Sequence, residues 1–380
     1  MRILHTSDWH IGRTFHKAST LAALETVFDA LVGIVKDEEV EVVLASGDIF
    51  DSSTPSADAV TLLDKFLLGI SKAGARVVLT SGNHDSPARL GAKSAFAHAA
   101  GVHVLTEAAG IVDPVTIGDE HGDVHFYGIP YIEPAHQRHV WTEVAMRSQK
   151  DALGHALNLV RADWRDRGGR AVVLAHTFVQ GAEGDSCDSE RDIVGGVDKV
   201  PVSYFTDFTY AALGHIHGRA TLAENVRYSG APLHYSFSEA SKPRGGWLVD
   251  LDADGVKSVD WVGLPVPRPL SVLVGTLDDL LTEKAYADKE DHWICAVITD
   301  RTRPMNTQKR LQERFGHLAE IKFRPSYIHE SGAVGYAERI AGKGDVEIVD
   351  TFLESVRNGE GATAAELELI RTVIGAYSSS

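Results

Sequence analysis

Two cysteines, Cys187 and Cys295, are all that the 380 residues contain. They share no paired spacing, so no disulfide framework is expected, and the chain reads as suited to a reducing, cytosolic compartment. No run of about 18 apolar residues occurs, which excludes a transmembrane helix. The opening MRILHTSDWH places Asp8 where a signal peptide would carry its apolar core, so export is not expected. Positive charge is scarce. Lys and Arg total 37 against 53 Asp and Glu, a net charge of −16, which argues against holding nucleic acid by bulk charge alone. Internal repeats and low-complexity tracts are missing as well. What remains is an ordinary globular composition, 44% apolar and 24% charged, on a chain long enough for two or three domains. Histidine is plentiful, at 18 residues. It is the commonest metal ligand among side chains, so its placement matters.

Strands and helices alternate through residues 1–265. RILHTS (2–7), VEVVLAS (40–46), RVVLTS (76–81), AVVLAH (171–176) and YAALGH (210–215) are apolar runs of strand length. Residues 18–36 and 56–72 carry apolar positions at helical spacing. This alternation predicts an α/β core with mainly parallel strands, and open sheets of that kind place ligands at the C-terminal ends of their strands. After LPVPRP (264–269), read as a linker, residues 270–324 suggest a small β-α-β-α-β domain. Residues 325–344 read as a flexible connector, and 345–380 as two amphipathic helices split by RNGEGAT.

Five polar clusters follow those strands: Asp8-Trp9-His10, Gly47-Asp48-Ile49-Phe50-Asp51, Gly82-Asn83-His84-Asp85, His176, and Gly214-His215-Ile216-His217. One strand-end histidine is more often a hydrogen-bonded core residue than a ligand. Five clusters in succession, rich in Asp, Asn and His, are hard to explain as packing. Two divalent ions about 3.5–4 Å apart can clamp the attacking and leaving oxygens of a phosphoryl transfer. Such a pair needs a bridging carboxylate and mostly neutral ligands. Two carboxylates and a hydroxide set against the +4 of two ions leave a small positive charge for a phosphodiester.

The stretches TSDWHIGR, GDIFDSSTPS, GNHDSPARL and GHIH, with the isolated His176, resemble the calcineurin-like metallophosphoesterases, and within them the SbcD-type nuclease subunits. The resemblance implies an αββα-sandwich core over 1–265, a small α/β cap for DNA recognition over 270–324 and an ATPase-binding helical segment over 345–380. It implies that Asp8, His10, Asp48 and His217 hold one metal and that Asp48, Asn83, His176 and His215 hold the other, with Asp48 bridging. The O and N ligands suit two Mn²⁺ ions. His84 is then a catalytic group that donates to the transferring phosphate, and Asp51 orients it; the alternative for Asp51 is a turn or helix-cap residue. The implied activity is metal-dependent DNA cleavage in repair and recombination, as double-strand 3′–5′ exonuclease and hairpin endonuclease. The implied setting is cytoplasmic and nucleoid-associated. The implied partners are DNA, an SbcC-like coiled-coil ATPase and a second copy of the chain. A phosphoprotein phosphatase or cyclic-nucleotide phosphodiesterase on the same core is the rival enzyme, and a DNA-end tether with a vestigial site is the non-enzymatic alternative.

Four further expectations accompany this reading. His234 is a candidate for lining the site. Arg89 is a candidate phosphate contact or a structural salt bridge. Residues 301–324, with seven basic residues against two acids, are a DNA-facing surface or a solvated face. Leu62, Phe66, Leu90 and Phe96 are candidates for a dimer face.

Overall fold

The computed structural model describes residues 1–137, 140–142, 144–182, 199–326 and 336–377. Cys187 and positions 327–335 of the expected connector lie outside them. The chain divides into two compact units, Met1–Pro267 and Arg268–Ser380.

The first unit is built on two six-stranded sheets. In the first sheet the strands Arg2–Thr6, Val42–Ser46, Arg76–Thr80 and Val102–Leu105 run parallel. Gly245–Leu251 and Val256–Gly263 extend it antiparallel beyond Arg2–Thr6. In the second sheet Gly122–Ile129, Arg170–His176, Tyr210–Gly214 and Val226–Tyr228 are parallel, with antiparallel strands at both edges. Strands buried on both faces carry unbroken apolar runs rather than alternation, and Val42–Ser46, Arg170–His176 and Tyr210–Gly214 are buried throughout.

The sheets pack face to face through Ile3, Leu44, Val78, Phe126, Val172 and Leu174. Helices Leu21–Asp37 and Ala57–Lys72 cover the outer face of the first sheet with Leu24, Phe28, Leu31, Leu63 and Phe66. Helix Gln149–Arg167 covers the second with Leu153, Leu157 and Val160. The layers are therefore α, β, β, α. Two of these helices start where a side chain takes an orphan N–H. The Ser56 hydroxyl accepts from the Ala59 N–H and that of Ser148 from the Asp151 N–H. Polar bridges also cross between the sheets. Buried His5 reaches the Tyr210 hydroxyl at 3.0 Å and the Leu213 carbonyl at 3.2 Å, and the Ser46 hydroxyl donates to the Ala212 carbonyl at 2.8 Å.

One expectation is corrected here. Leu62 and Phe66 belong to the core under helix Ala57–Lys72, and Leu90 packs against the same core. Of the four residues assigned to a dimer face only Phe96 is strongly exposed, at 84%.

The second unit opens with a parallel three-stranded sheet of Leu270–Gly275, Trp293–Ile298 and Leu318–Phe323. Helices Leu277–Thr282 and Thr307–Arg314 close one face over Leu273, Leu280, Ile294, Leu311 and Phe315. Three helices follow: Tyr336–Ile340, which falls inside the expected connector, then Asp345–Val356 and Ala364–Tyr377. The last two leave Phe352, Val356, Leu369, Val373 and Tyr377 half or more exposed. Several bases of the 301–324 stretch are engaged within the unit. Arg314 donates to the carbonyls of Leu280 and Glu283, Arg301 faces Glu360 at 3.5 Å, and Lys322 faces Glu320 at 3.2 Å.

Candidate metal centre

The C-terminal ends of both sheets meet at one place, and all seven candidate ligands arrive there from five loops. Tight approach is required. A Cβ on Gly47 would run into the His176 ring, and one on Gly82 into the Asp48 carboxylate. Four of the candidate ligands hold positive φ, Asp8 at 53°, His10 at 44°, Asp48 at 49° and His215 at 107°. Non-glycine residues in such conformations persist only where the surroundings over-determine them. Here backbone and carboxylate bonds do so. The Asp8 N–H donates to the Gly47 carbonyl at 3.0 Å and the His10 N–H to the Asp48 carbonyl at 2.9 Å. The His215 N–H donates to Asp8 Oδ1 at 3.0 Å and the His84 N–H to Asp48 Oδ1 at 2.9 Å.

Two overlapping clusters result. Asp8, His10 and His217 bring one ligand atom each within 4.8 Å of one another, and so do Asp8, Asp48 and His176. Asp48 Oδ2 lies 3.5 Å from both His10 Nε2 and His176 Nε2. Asn83 Oδ1 is 3.0 Å from His176 Nε2 and 3.2 Å from His215 Nδ1. His84 also forms a close triad with His10 and Asp48, so the geometry makes it available as a ligand too.

The contacts inside the clusters make a cation chemically apt. The Ser46 carbonyl can only accept, so His176 Nδ1, 2.9 Å away, carries a proton. In the neutral ring Nε2 is then a lone pair facing the Asn83 oxygen. His10 Nε2 and His217 Nε2 likewise face each other at 3.0 Å, while the Nδ1 of each ring lies beside a carboxylate, Asp51 at 3.3 Å and Glu239 at 3.5 Å. A lone pair set against an oxygen, as at His176 and Asn83, is reconciled by a proton or a metal ion between them. The titration behaviour expresses the same demand. Burial lowers the affinity of His176 for a second proton, but the Asp48 and Asp8 carboxylates outweigh it and push the ring up to about 9. Burial holds His10 and His215 down at about 3, neutral and ready to ligate. Burial raises Asp8, whereas the histidines around Asp48 overcome its burial and hold it well below the usual carboxylate range. The site fits divalent ions of the kind bound by mixed O and N donors.

Asp51 differs in detail from expectation. Its backbone carbonyl, not its carboxylate, makes the close contact with His84, 2.9 Å from Nδ1. The carboxylate is 3.7 Å from that nitrogen and nearer to His10 and Arg13. His234 faces the Lys242 carbonyl at 2.9 Å and joins none of the clusters found among the described residues. Arg89 bonds the loop it packs on, with Thr54 Oγ1 at 2.6 Å.

Sequence reasoning passed over several supporting residues. The buried Asp85 carboxylate accepts the N–H groups of Ile49, Phe50 and Gly82 at 2.8–3.0 Å, tying together the loops that carry Asp48 and Asn83. Burial and neighbouring Asp48 push it up to about 7. Ser7 bonds both Asp8 and Ser229. Glu239 and Arg244 stand behind His217. Asp85 has a signal in its place after Gly82-Asn83-His84; the other supports have none, because only the tertiary fold brings them near.

Residues 1–219 match the calcineurin-like phosphoesterase family, and residues 266–357 match the SbcD_C family, described as the type 5 capsule protein repressor C-terminal domain. Among solved structures, the protein TT1561 of Thermus thermophilus is 13% identical with a TM-score of 0.40, covering 69% of this chain and 98% of its own. A dimetal phosphatase from Danio rerio is 12% identical with a TM-score of 0.40, covering 70% and 99%. Likenesses that weak add nothing to the family matches.

Proposed function

The chain belongs to the calcineurin-like phosphoesterase family, and from that premise we propose that it is the nuclease subunit of an SbcCD-like complex, cleaving DNA phosphodiesters with two metal ions. Metal-dependent phosphoester hydrolysis follows from the family, which uses a dimetal centre, and from the clustered Asp and His residues. The finer reading is carried by one observation: the phosphoesterase match is followed in the same chain by an SbcD_C match over 266–357.

In this reading Asp8, His10, Asp48 and His217 hold one ion, and Asp48, Asn83, His176 and His215 the other. Mn²⁺ suits these donors, and such ions polarise the phosphate and activate water. The chain's own groups do the rest. Asp48 turns Oδ2 inward because its Oδ1 is occupied by the His84 N–H. The His84 ring is set by the Asp51 carbonyl at Nδ1, which leaves Nε2 for the phosphate. Donation from Nε2 then requires the doubly protonated ring, since Nδ1–H is already committed. The exposed apolar residues of helices Asp345–Val356 and Ala364–Tyr377 suit a coiled-coil ATPase partner. Double-strand exonuclease and hairpin-opening activity, a homodimer in a heterotetramer and a role in DNA repair complete the proposal.

The test is cleavage of linear duplex and hairpin DNA with and without Mn²⁺ and the ATPase. Mn²⁺-dependent cutting supports the reading. Turnover of phosphopeptides or cyclic nucleotides with intact DNA would replace it by the phosphatase or phosphodiesterase alternative.

A further inference from the structure

Resting on the ligand role proposed for His217, we propose that Glu239 and Arg244 are positioning residues that fix the tautomer and the place of that histidine. Both are buried, at 0% and 3% exposure. A buried ion pair adds little net stability of its own, and breaking it is costly. What this pair does add is direction. Glu239 Oε1 stands 3.5 Å from His217 Nδ1, and Glu239 Oε2 lies 3.4 Å from Arg244 Nη1 and accepts the Tyr235 N–H at 3.2 Å. Arg244 Nη1 donates to the His217 carbonyl at 2.8 Å and to the Ala231 carbonyl at 3.1 Å. The histidine is therefore faced at its ring by the acid and held at its backbone by the base.

The chemical consequence lies at the other ring nitrogen. An ionised carboxylate only accepts, so it draws the proton to Nδ1 and leaves the Nε2 lone pair facing His10 Nε2 across 3.0 Å. A carboxylate behind a ligating imidazole also raises its basicity, and losing such support costs about 10- to 100-fold in metal affinity. Crowding reinforces the placement, since a Cβ on Gly230 would come within 2.6 Å of the His217 carbonyl. Both residues lie beyond position 219, where the phosphoesterase match ends.

Mn²⁺ titration by calorimetry, with metal content measured alongside, tests the proposal on the full chain. Glu239→Gln should weaken one of the two ions by about 10- to 100-fold and leave the other near the wild-type value. That variant removes the carboxylate beside the buried Arg244 charge, so Glu239→Gln with Arg244→Met is measured too; with both charges gone it should fold. The chelator-treated double variant should melt near the wild type and show the same selective loss of one ion. A folded double variant that binds both ions with wild-type affinity overturns the proposal. His217→Ala separates the two levels of inference. If it alone keeps both ions, the ligand reading fails; if it loses one while the double variant does not, only the positioning role fails.

Discussion

Trp9 sits between two candidate ligands and points the other way, into the core. It is 0% exposed, with its ring 5.5 Å from Phe28 and 5.0 Å from Phe66 in edge contacts, and its indole N–H reaches Thr6 Oγ1 at 3.1 Å. It therefore anchors the Asp8–His10 loop to the two helices that carry those phenylalanines. Removing a buried Trp side chain costs about 3–5 kcal/mol, a large part of the roughly 5–15 kcal/mol typical of a domain. Two non-glycine residues at positive φ flank it, each storing about 1 kcal/mol or more. The packing outweighs that strain at its lower bound and does not once the indole is gone. Trp9→Ala should lower the melting temperature by roughly 6–20 °C, taking about 2–4 °C per kcal/mol for a unit of this size. It should also weaken metal binding even where the protein remains folded. Trp9→Phe keeps an aromatic ring and loses one hydrogen bond, so about 1–2 kcal/mol is expected, with metal binding retained. Calorimetric melting and Mn²⁺ titration of both variants are the assays. A Trp9→Ala protein that melts within about 2 °C of the wild type, a shift worth no more than about 1 kcal/mol, or that binds metal as tightly, would refute the reasoning.

Asp48→Ala should lose both ions, because the proposed bridging carboxylate belongs to both sites; His84→Ala should keep them and lose cleavage, and metal loss in His84→Ala would make that residue a ligand. His176 titrates at about 9 in the fold against 6.5 for an ordinary histidine. Its protonated form therefore stabilises chelator-treated protein fully below about pH 6.5, and that contribution is lost as pH rises through about 9. Metal needs the neutral ring, so Mn²⁺ affinity should climb over the same window; melting curves and titrations across that window that show no trend would contradict this. Deleting residues 345–380 should abolish assembly with the proposed coiled-coil ATPase and spare the proposed Mn²⁺-dependent cleavage. Co-purification of the truncated chain at full stoichiometry would count against that.

Much of this architecture is legible in the sequence because local pattern and tertiary role coincide. Val42–Ser46 and Arg170–His176 are buried on both faces, so their apolar runs announce strands, and the polar residue that ends each run falls at the sheet's ligand-bearing edge. Periodicity shows which face of a helix is apolar, but not what covers it. Leu62 and Phe66 therefore read as a dimer face, although their own sheet buries them. Asp51 shows a finer limit. A sequence names a side chain, whereas the contact to His84 runs through the residue's carbonyl. Glu239 and Arg244 are ordinary charged residues in the chain and acquire meaning only when strand Gly245–Leu251 pairs with Arg2–Thr6 and carries the preceding loop to the site.

The candidate ligands come from both sheets, Asp8, His10, Asp48 and Asn83 from the first and His176, His215 and His217 from the second. A metal pair here is a rivet through a seam. No single sheet holds either proposed ligand set, so a chain emerging from synthesis completes neither until distant residues have met, His10 with His217 for one set and Asp48 and Asn83 with His176 and His215 for the other. Occupancy thus becomes a certificate of completed assembly, and a half-folded chain carries no armed hydrolase. Ions held by the proposed ligands would bind only the docked form, so they would deepen its stability by mass action and slow the parting of the layers.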